Sequence, residues 1–148
     1  MALYHFSVRN VSRGKGQMVV ASAAYISGQR IFDSYYNKIH DYPSKSGVIF
    51  TEILTPEYVP ERLTDRETLW NEVEHVERNN KAQLAYSFDI ALQNELTLEE
   101  NIRLAKEFCQ EQFVARGMIV DLAVHEGKSD NEEEPDNPHF HVLAPIRP

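Results

Sequence analysis

"MIVDLAVHEG" (residues 118–127) and "HFHVLAPI" (residues 139–146) decide how this chain is read. In the first, Val120, Leu122 and Val124 alternate with Asp121, Ala123 and His125. In the second, Phe140 and Val142 alternate with His139 and His141. Successive side chains on a strand point to opposite faces, so each stretch reads as a strand with one apolar face. The intervening "EGKSDNEEEPDNP" is acidic and carries prolines, and reads as a loop. If residues 118–126 and 138–146 form a hairpin, His125 joins His139 and His141 on the face away from the core. Three neutral imidazoles with open positions suit a catalytic-type divalent ion, not a closed structural one. Asp89 and Asp121 fall on the non-apolar faces of candidate strands, where either could orient a ligand histidine. An HxH pair by itself is equally well a pair of ordinary surface or core histidines, and His5, His40 and His75 show no comparable partnership.

Working outward, "QLAYSFDIAL" (residues 83–92) alternates strictly, with Leu84, Tyr86, Phe88, Ile90 and Leu92 on one side. "ALYHFSV" (residues 2–8) and "GVIFTEIL" (residues 47–54) are further strand candidates, and "NVSRGKGQ" (residues 10–17) reads as a loop. "MVVASAAYISGQRIF" (residues 18–32) has helical character that Gly28 interrupts or ends. Residues 33–47 read as a turn or hairpin. Two more helices are expected. One begins at a capping box from Thr64 to Glu67, with Leu69, Trp70, Val73 and Val76 as its stripe. The other is capped by Thr97 with Glu100, stops near Gly117, and carries Leu98, Ile102, Ala105, Cys109 and Phe113. The order β-α-β-α-β-α-β-β is an α+β pattern: a mostly antiparallel sheet with helices on one face.

At 148 residues the chain is long enough for one domain with a hydrophobic core. No apolar run approaches the ~18–20 residues that span a bilayer, and "MALYHFSVRN" lacks the basic and apolar regions of a signal peptide. Cys109 is alone, which excludes an internal disulfide and a cysteine-rich zinc site; a reducing, cytosolic setting fits. The net charge of −8 argues against a general nucleic-acid coat. It is unevenly spread: residues 1–50 carry +4 and residues 51–148 carry −12. A phosphate-bearing partner could meet the first third and avoid the rest, although chance asymmetry on a solvated surface explains the charge as well.

An imidazole-bound metal can activate water or polarise a phosphate for a protein nucleophile. Among the tyrosines of the first third, Tyr25 stands in "ASAAYISG", where small neighbours leave a phenol accessible. From pattern alone the better reading is an ordinary packing residue of an amphipathic helix.

Four stretches together carry a resemblance: "YHFSVRNVSRGKGQMVVASAAYISGQRI", "DRETLWNEVEHVERNNKAQLA", "EFCQEQFVARGMIVDLAVHEG" and "NPHFHVLAPIRP". Over essentially its whole length the chain resembles the relaxase domain of the MobA/MobL family, within the HUH endonuclease superfamily. The resemblance implies the HUH relaxase fold, which is ferredoxin- or RRM-like. It implies nicking of single-stranded DNA at an origin of transfer (oriT), with Tyr25 as the nucleophile. A 5′-phosphotyrosyl enzyme and a free 3′-hydroxyl result, and reversal rejoins the strand. His125, His139 and His141 match the metal ligands, the ion being Mg²⁺ or Mn²⁺ or another transition metal. Accessory mobilisation proteins, a type IV secretion coupling protein and a bacterial cytoplasmic location are implied too, with no membrane insertion. Such proteins commonly continue into further domains, so residues 1–148 are expected to be the N-terminal relaxase domain of a longer protein.

The match has departures. Better-known members carry an Arg-Glu pair where this chain has Tyr86 and Ser87. Asp89 is the substitute candidate for the missing acid. Arg9, Arg13, Lys15 and Arg30 cluster in sequence around the tyrosine helix and could grip phosphates. Tyr35 and Tyr36 lie outside the matching motif and are taken as packing or DNA-stacking residues. Two alternatives remain: a rolling-circle replication initiator with the same chemistry, and a DNA-binding module of this fold that has lost activity. A cupin-like metalloenzyme also places HxH on a strand, but the three helices fit such a barrel poorly.

Overall fold

A computed structural model describes residues 6–42, 47–127 and 137–146. In chain order the elements are β1 (Phe6–Ser12), α1 (Val19–Ser27), β2 (Ile31–Asp33), β3 (Lys38–His40) and β4 (Val48–Leu54). Then come α2 (Arg66–Val76), β5 (Gln83–Ala91), α3 (Leu98–Gln112), β6 (Val120–His125) and β7 (His139–Pro145). Five strands form one sheet in the order β1-β5-β7-β6-β4, and every neighbouring pair is antiparallel. The expected α+β class with a mostly antiparallel sheet is what the molecule has. β2 and β3 pair separately as a two-stranded ribbon; β3 lies in the stretch read as a turn or hairpin, while β2 begins in the stretch read as helical, past its end at Gly28.

The helices do not share one face. Leu122, Val124, Phe140 and Val142 pack with Ala105, Cys109 and Phe113, which puts α3 on one side. Ala123, Leu143 and Ala85 pack with Ala23, Leu69 and Trp70, which puts α1 and α2 on the other. All six residues of β6 are buried, as befits a strand covered on both faces. Ala123, small and unobtrusive in sequence, is what allows the second layer to close over that strand. Burial of Cys109 in the α3 layer pushes its thiol up to about 12, so the sulfur packs as a neutral apolar group.

Local differences have local causes. β1 continues into the "NVS" expected to be loop, because Arg9, Asn10 and Val11 pair with Ser87, Tyr86 and Ala85. Residues 2–5 of that expected strand, His5 included, lie outside the described residues. The β1–β5 register then slips at Val11/Ser12. The slip is a bulge, and it lets Leu84 and its neighbour Ala85 enter the same core. α2 is capped by Asp65, not Thr64: its carboxylate accepts from the Thr68 backbone N–H (3.1 Å) and hydroxyl (2.6 Å). Glu67, expected to complete a capping box, instead accepts from the Phe32 backbone N–H at 2.7 Å and fastens the β2–β3 ribbon to α2. The capping box at Thr97 and Glu100 is present as read. Gly28 ends α1 at φ 68°, a left-handed conformation that glycine adopts without strain.

Candidate metal and nucleophile site

β6 and β7 do pair, and the register sets His125 directly opposite His139 and Ala123 opposite His141. The three imidazoles converge on the α1/α2 side of the sheet, with ring centroids 4.6–5.1 Å apart. One nitrogen from each lies within 4.8 Å of the others, a cluster that could hold one metal ion. A metal-binding histidine needs one ring nitrogen free, with the other donating its proton to a fixed acceptor. His125 Nε2–H donates to the Ile26 carbonyl at 2.8 Å. His139 Nδ1–H donates to the Asn137 carbonyl (2.8 Å), leaving Nε2. The donor set and its orientation fit a divalent ion of the nitrogen-tolerant kind.

The Ile26 contact joins two elements. The last carbonyls of a helix have no partner within it, and α1 ends at Ser27. One of those carbonyls is satisfied by His125 of β6. The bond fixes the tail of α1 against the triad and turns the negative end of its dipole toward the cation position. Tyr25, the residue before Ile26, is 47% exposed. Arg9, Gln17, Met18, Tyr25, Tyr42 and His141 are among the residues lining one cleft of about 350 Å³. Tyr25 and His141 therefore face the same space.

The other expected site residues divide. Asp89 is half-buried and stands opposite His141 in the β5–β7 ladder, on the triad's face. Arg9 is exposed, pairs in register with Ser87, and lines the cleft beside Tyr25. Lys15 and Arg30 are exposed on either side of α1.

Arg13 is not a DNA-facing cation. It is buried, and its guanidinium donates to the carbonyls of Glu74 (2.7 Å), Glu77 (2.8 Å) and Asn79 (2.9 Å), capping the end of α2. It also lies 3.4 Å from the buried Glu74 carboxylate and 4.5 Å from the centre of the Tyr35 ring. Burial pushes the Glu74 carboxyl up, and Arg13 opposes the shift. Tyr35 packs edge-on to Tyr36 and His75, which gives both tyrosines a packing role. Asp121 does not orient a histidine either. Its carboxylate is fully buried and is taken by Arg66 and the Trp70 indole. His40 is buried against Asp33 (2.9 Å), and His75 meets the Ser34 hydroxyl (2.8 Å).

Arg9 and Arg13 are thus expected to fail differently. Arg9→Ala should weaken single-strand binding and lower the salt slope by about one, at unchanged stability. Arg13→Ala should lower the unfolding free energy by about 3 kcal/mol or more, because it strands Glu74 and three carbonyls. Oligonucleotide titration at several salt concentrations, with urea denaturation alongside, checks both.

The missed members are the Ile26 carbonyl and Tyr42. The first could have been suspected from a helix ending just before Gly28. No sequence signal pairs Tyr42 with Tyr25.

A central antiparallel sheet carrying a histidine triad beside a tyrosine helix is the relaxase-type α+β fold. It superposes on a solved structure reported as the molecular basis of vancomycin resistance transfer in Staphylococcus aureus. The TM-score is 0.88 at 40% identity, over 99% of this chain and 72% of that one. The model of the MobA/MobL family matches residues 17–148, and the chain belongs to that family. It is 37% identical over its whole length to a conjugal transfer protein TraA of Rhizobium radiobacter. Over 98% of its length it is 32% identical to a mobilization protein MobL of Acidithiobacillus ferridurans. It spans only 14% and 38% of those two relatives.

Proposed function

We propose that this chain is a metal-dependent relaxase domain that nicks one DNA strand at an origin of transfer and later rejoins it. The observation that carries the reading is the hydrogen bond from ligand His125 to Ile26, beside Tyr25. It couples nucleophile and triad through a single helical turn, an arrangement suited to phosphoryl transfer, where catalysis is mainly positioning and charge stabilisation.

In this reading the Tyr25 oxygen attacks the scissile phosphorus and gives up its proton. The bond to the 3′-oxygen breaks, and its electron pair leaves on that oxygen, which takes a proton to become the 3′-hydroxyl. The DNA stays attached through a 5′-phosphotyrosyl bond. A phenol is a fair leaving group, so a 3′-hydroxyl attacking the same phosphorus can reverse the step without other input. His125, His139 and His141 would hold the divalent ion, which when bound draws electron density from the non-bridging oxygens. Asp89 supports the triad from the position opposite His141, in place of the acid missing at Ser87. Arg9 grips a phosphate at the cleft, and Lys15 and Arg30 extend that basic edge.

The strand is single-stranded oriT DNA. Accessory mobilisation proteins and a type IV secretion coupling protein are the partners, in a bacterial cytoplasm. Among the described residues no helix is long and apolar enough to cross a membrane.

The test is incubation with an oriT oligonucleotide and Mn²⁺, followed by denaturing electrophoresis. A protein–DNA adduct that resists denaturation is expected; its absence on a bound, correctly matched oligonucleotide overturns the reading. For the metal, His141→Ala should weaken Mn²⁺ binding by about tenfold or more in calorimetry, and unchanged affinity would remove His141 from the ligand set.

A further inference from the structure

We propose that Tyr42 is a positioning residue for Tyr25, an inference that rests on Tyr25 being the nucleophile. A long helical side chain lies back over the residues three and four positions before it. For Tyr25 these are Ser22 and Ala21, which offer a ring little surface to pack against. A phenol confined to fewer rotamers is placed for in-line attack more of the time.

Tyr42 supplies a wall for that ring. Its ring meets Tyr25 edge to face, with centroids 5.4 Å apart and planes at 83°. This is the favoured geometry of an aromatic pair. Tyr42 is itself held, because its ring is partly buried against the α1/α2 core. Both rings line the cleft that His141 also lines.

The backbone that carries Tyr42 is fixed as well. Two residues earlier, His40 is buried against Asp33, whose other carboxylate oxygen accepts from the backbone N–H groups of Tyr35 and Tyr36. The same ribbon is pinned to α2 where Glu67 accepts from the Phe32 N–H, and Asn71 donates to the Phe32 carbonyl and accepts from the Ser34 N–H. A small two-stranded ribbon with a buried Asp33–His40 hydrogen bond thereby has a purpose in the chemistry. It presents one aromatic ring to the nucleophile from outside the main sheet.

The experiment compares wild type, Tyr42→Phe and Tyr42→Leu on an oriT oligonucleotide with Mn²⁺. It follows the single-turnover rate of adduct formation, the rate at which a 3′-hydroxyl strand discharges a preformed adduct, DNA affinity and thermal stability. Tyr42→Leu is expected to slow both rates by about tenfold with affinity within about twofold of wild type. Tyr42→Phe keeps the ring contact and should restore most of the rate. Should Tyr42→Leu unfold, Tyr42→Met removes the ring while filling similar volume.

Full rate in the ring-less variants overturns the inference. Weakened affinity at unchanged rate overturns it in favour of a base-stacking surface. Equal slowing by Phe and Leu overturns it in favour of a role for the Tyr42 hydroxyl. Failure of the underlying reading looks different, because wild type itself would then form no adduct.

Discussion

Tyr25→Phe should abolish the covalent adduct with an oriT oligonucleotide, a loss of about 10³-fold or more in cleavage rate, while DNA affinity stays near wild type. The substitution removes the phenol oxygen and keeps the ring. The phenyl ring can still meet Tyr42 edge to face, and the α1 backbone is unchanged, so His125 keeps its hydrogen bond to Ile26. Stability should move by no more than ~0.5 kcal/mol, as for other exposed positions. Nucleophile removal gives losses of this order because the residual rate comes only from binding and charge stabilisation. A persisting adduct would move the nucleophile elsewhere. The adjacent pair Tyr35 and Tyr36 would be the place to look, but burial raises the Tyr36 phenol above its ordinary value and disfavours the phenolate. Mapping the DNA-linked peptide by mass spectrometry decides between them.

What could be read from sequence was set by periodicity and by local chemistry. β5, β6 and β7 declare themselves because alternation over six or more residues fixes which side chains share a face. That parity, with one assumed hairpin, suffices to bring His125, His139 and His141 together. The cap of α3 was legible because Thr97 and Glu100 satisfy each other within one turn. Most of the misreadings involve residues whose partners are remote in sequence. Arg13 resembled a phosphate grip among Arg9, Lys15 and Arg30, since nothing near it reveals that the end of α2 passes over its guanidinium. Asp121 looked like a spare carboxylate on the histidine face. Thr64 was an acceptable cap until Asp65, one residue on, proved able to reach the Thr68 N–H. The second helical layer was hidden because Ala85 and Ala123 give a weak apolar signal on a face that also carries polar residues.

Arg66 is the first residue of α2, where the helix dipole disfavours a cation. Its reason for being there is Asp121, in the middle of β6. Arg66 Nε and Nη2 reach that carboxylate at 2.8–3.0 Å, and Trp70, one turn further along the same helix face, adds its indole N–H at 2.8 Å. Burial alone pushes the Asp121 carboxyl up from its ordinary range, and the Arg66 and Trp70 donors act against it. Arg66→Ala should therefore cost about 3–5 kcal/mol in urea denaturation, because it leaves a carboxylate in an interior site with one neutral donor. Asp121→Ala should cost a similar amount by stranding the guanidinium. Joint replacement, Arg66→Met with Asp121→Leu, should recover most of the loss, since neither change then leaves a buried charge unpaired. Single-variant losses below about 1 kcal/mol would mean that the pair behaves like a surface ion pair. The coupling also bears on the site. β6 carries His125, and α2 anchors the ribbon that carries Tyr42. The pair joins the strand that carries His125 to the helix that braces the ribbon leading to Tyr42, so on the proposed reading the single variants should lose adduct-forming rate at temperatures where they are still mostly folded.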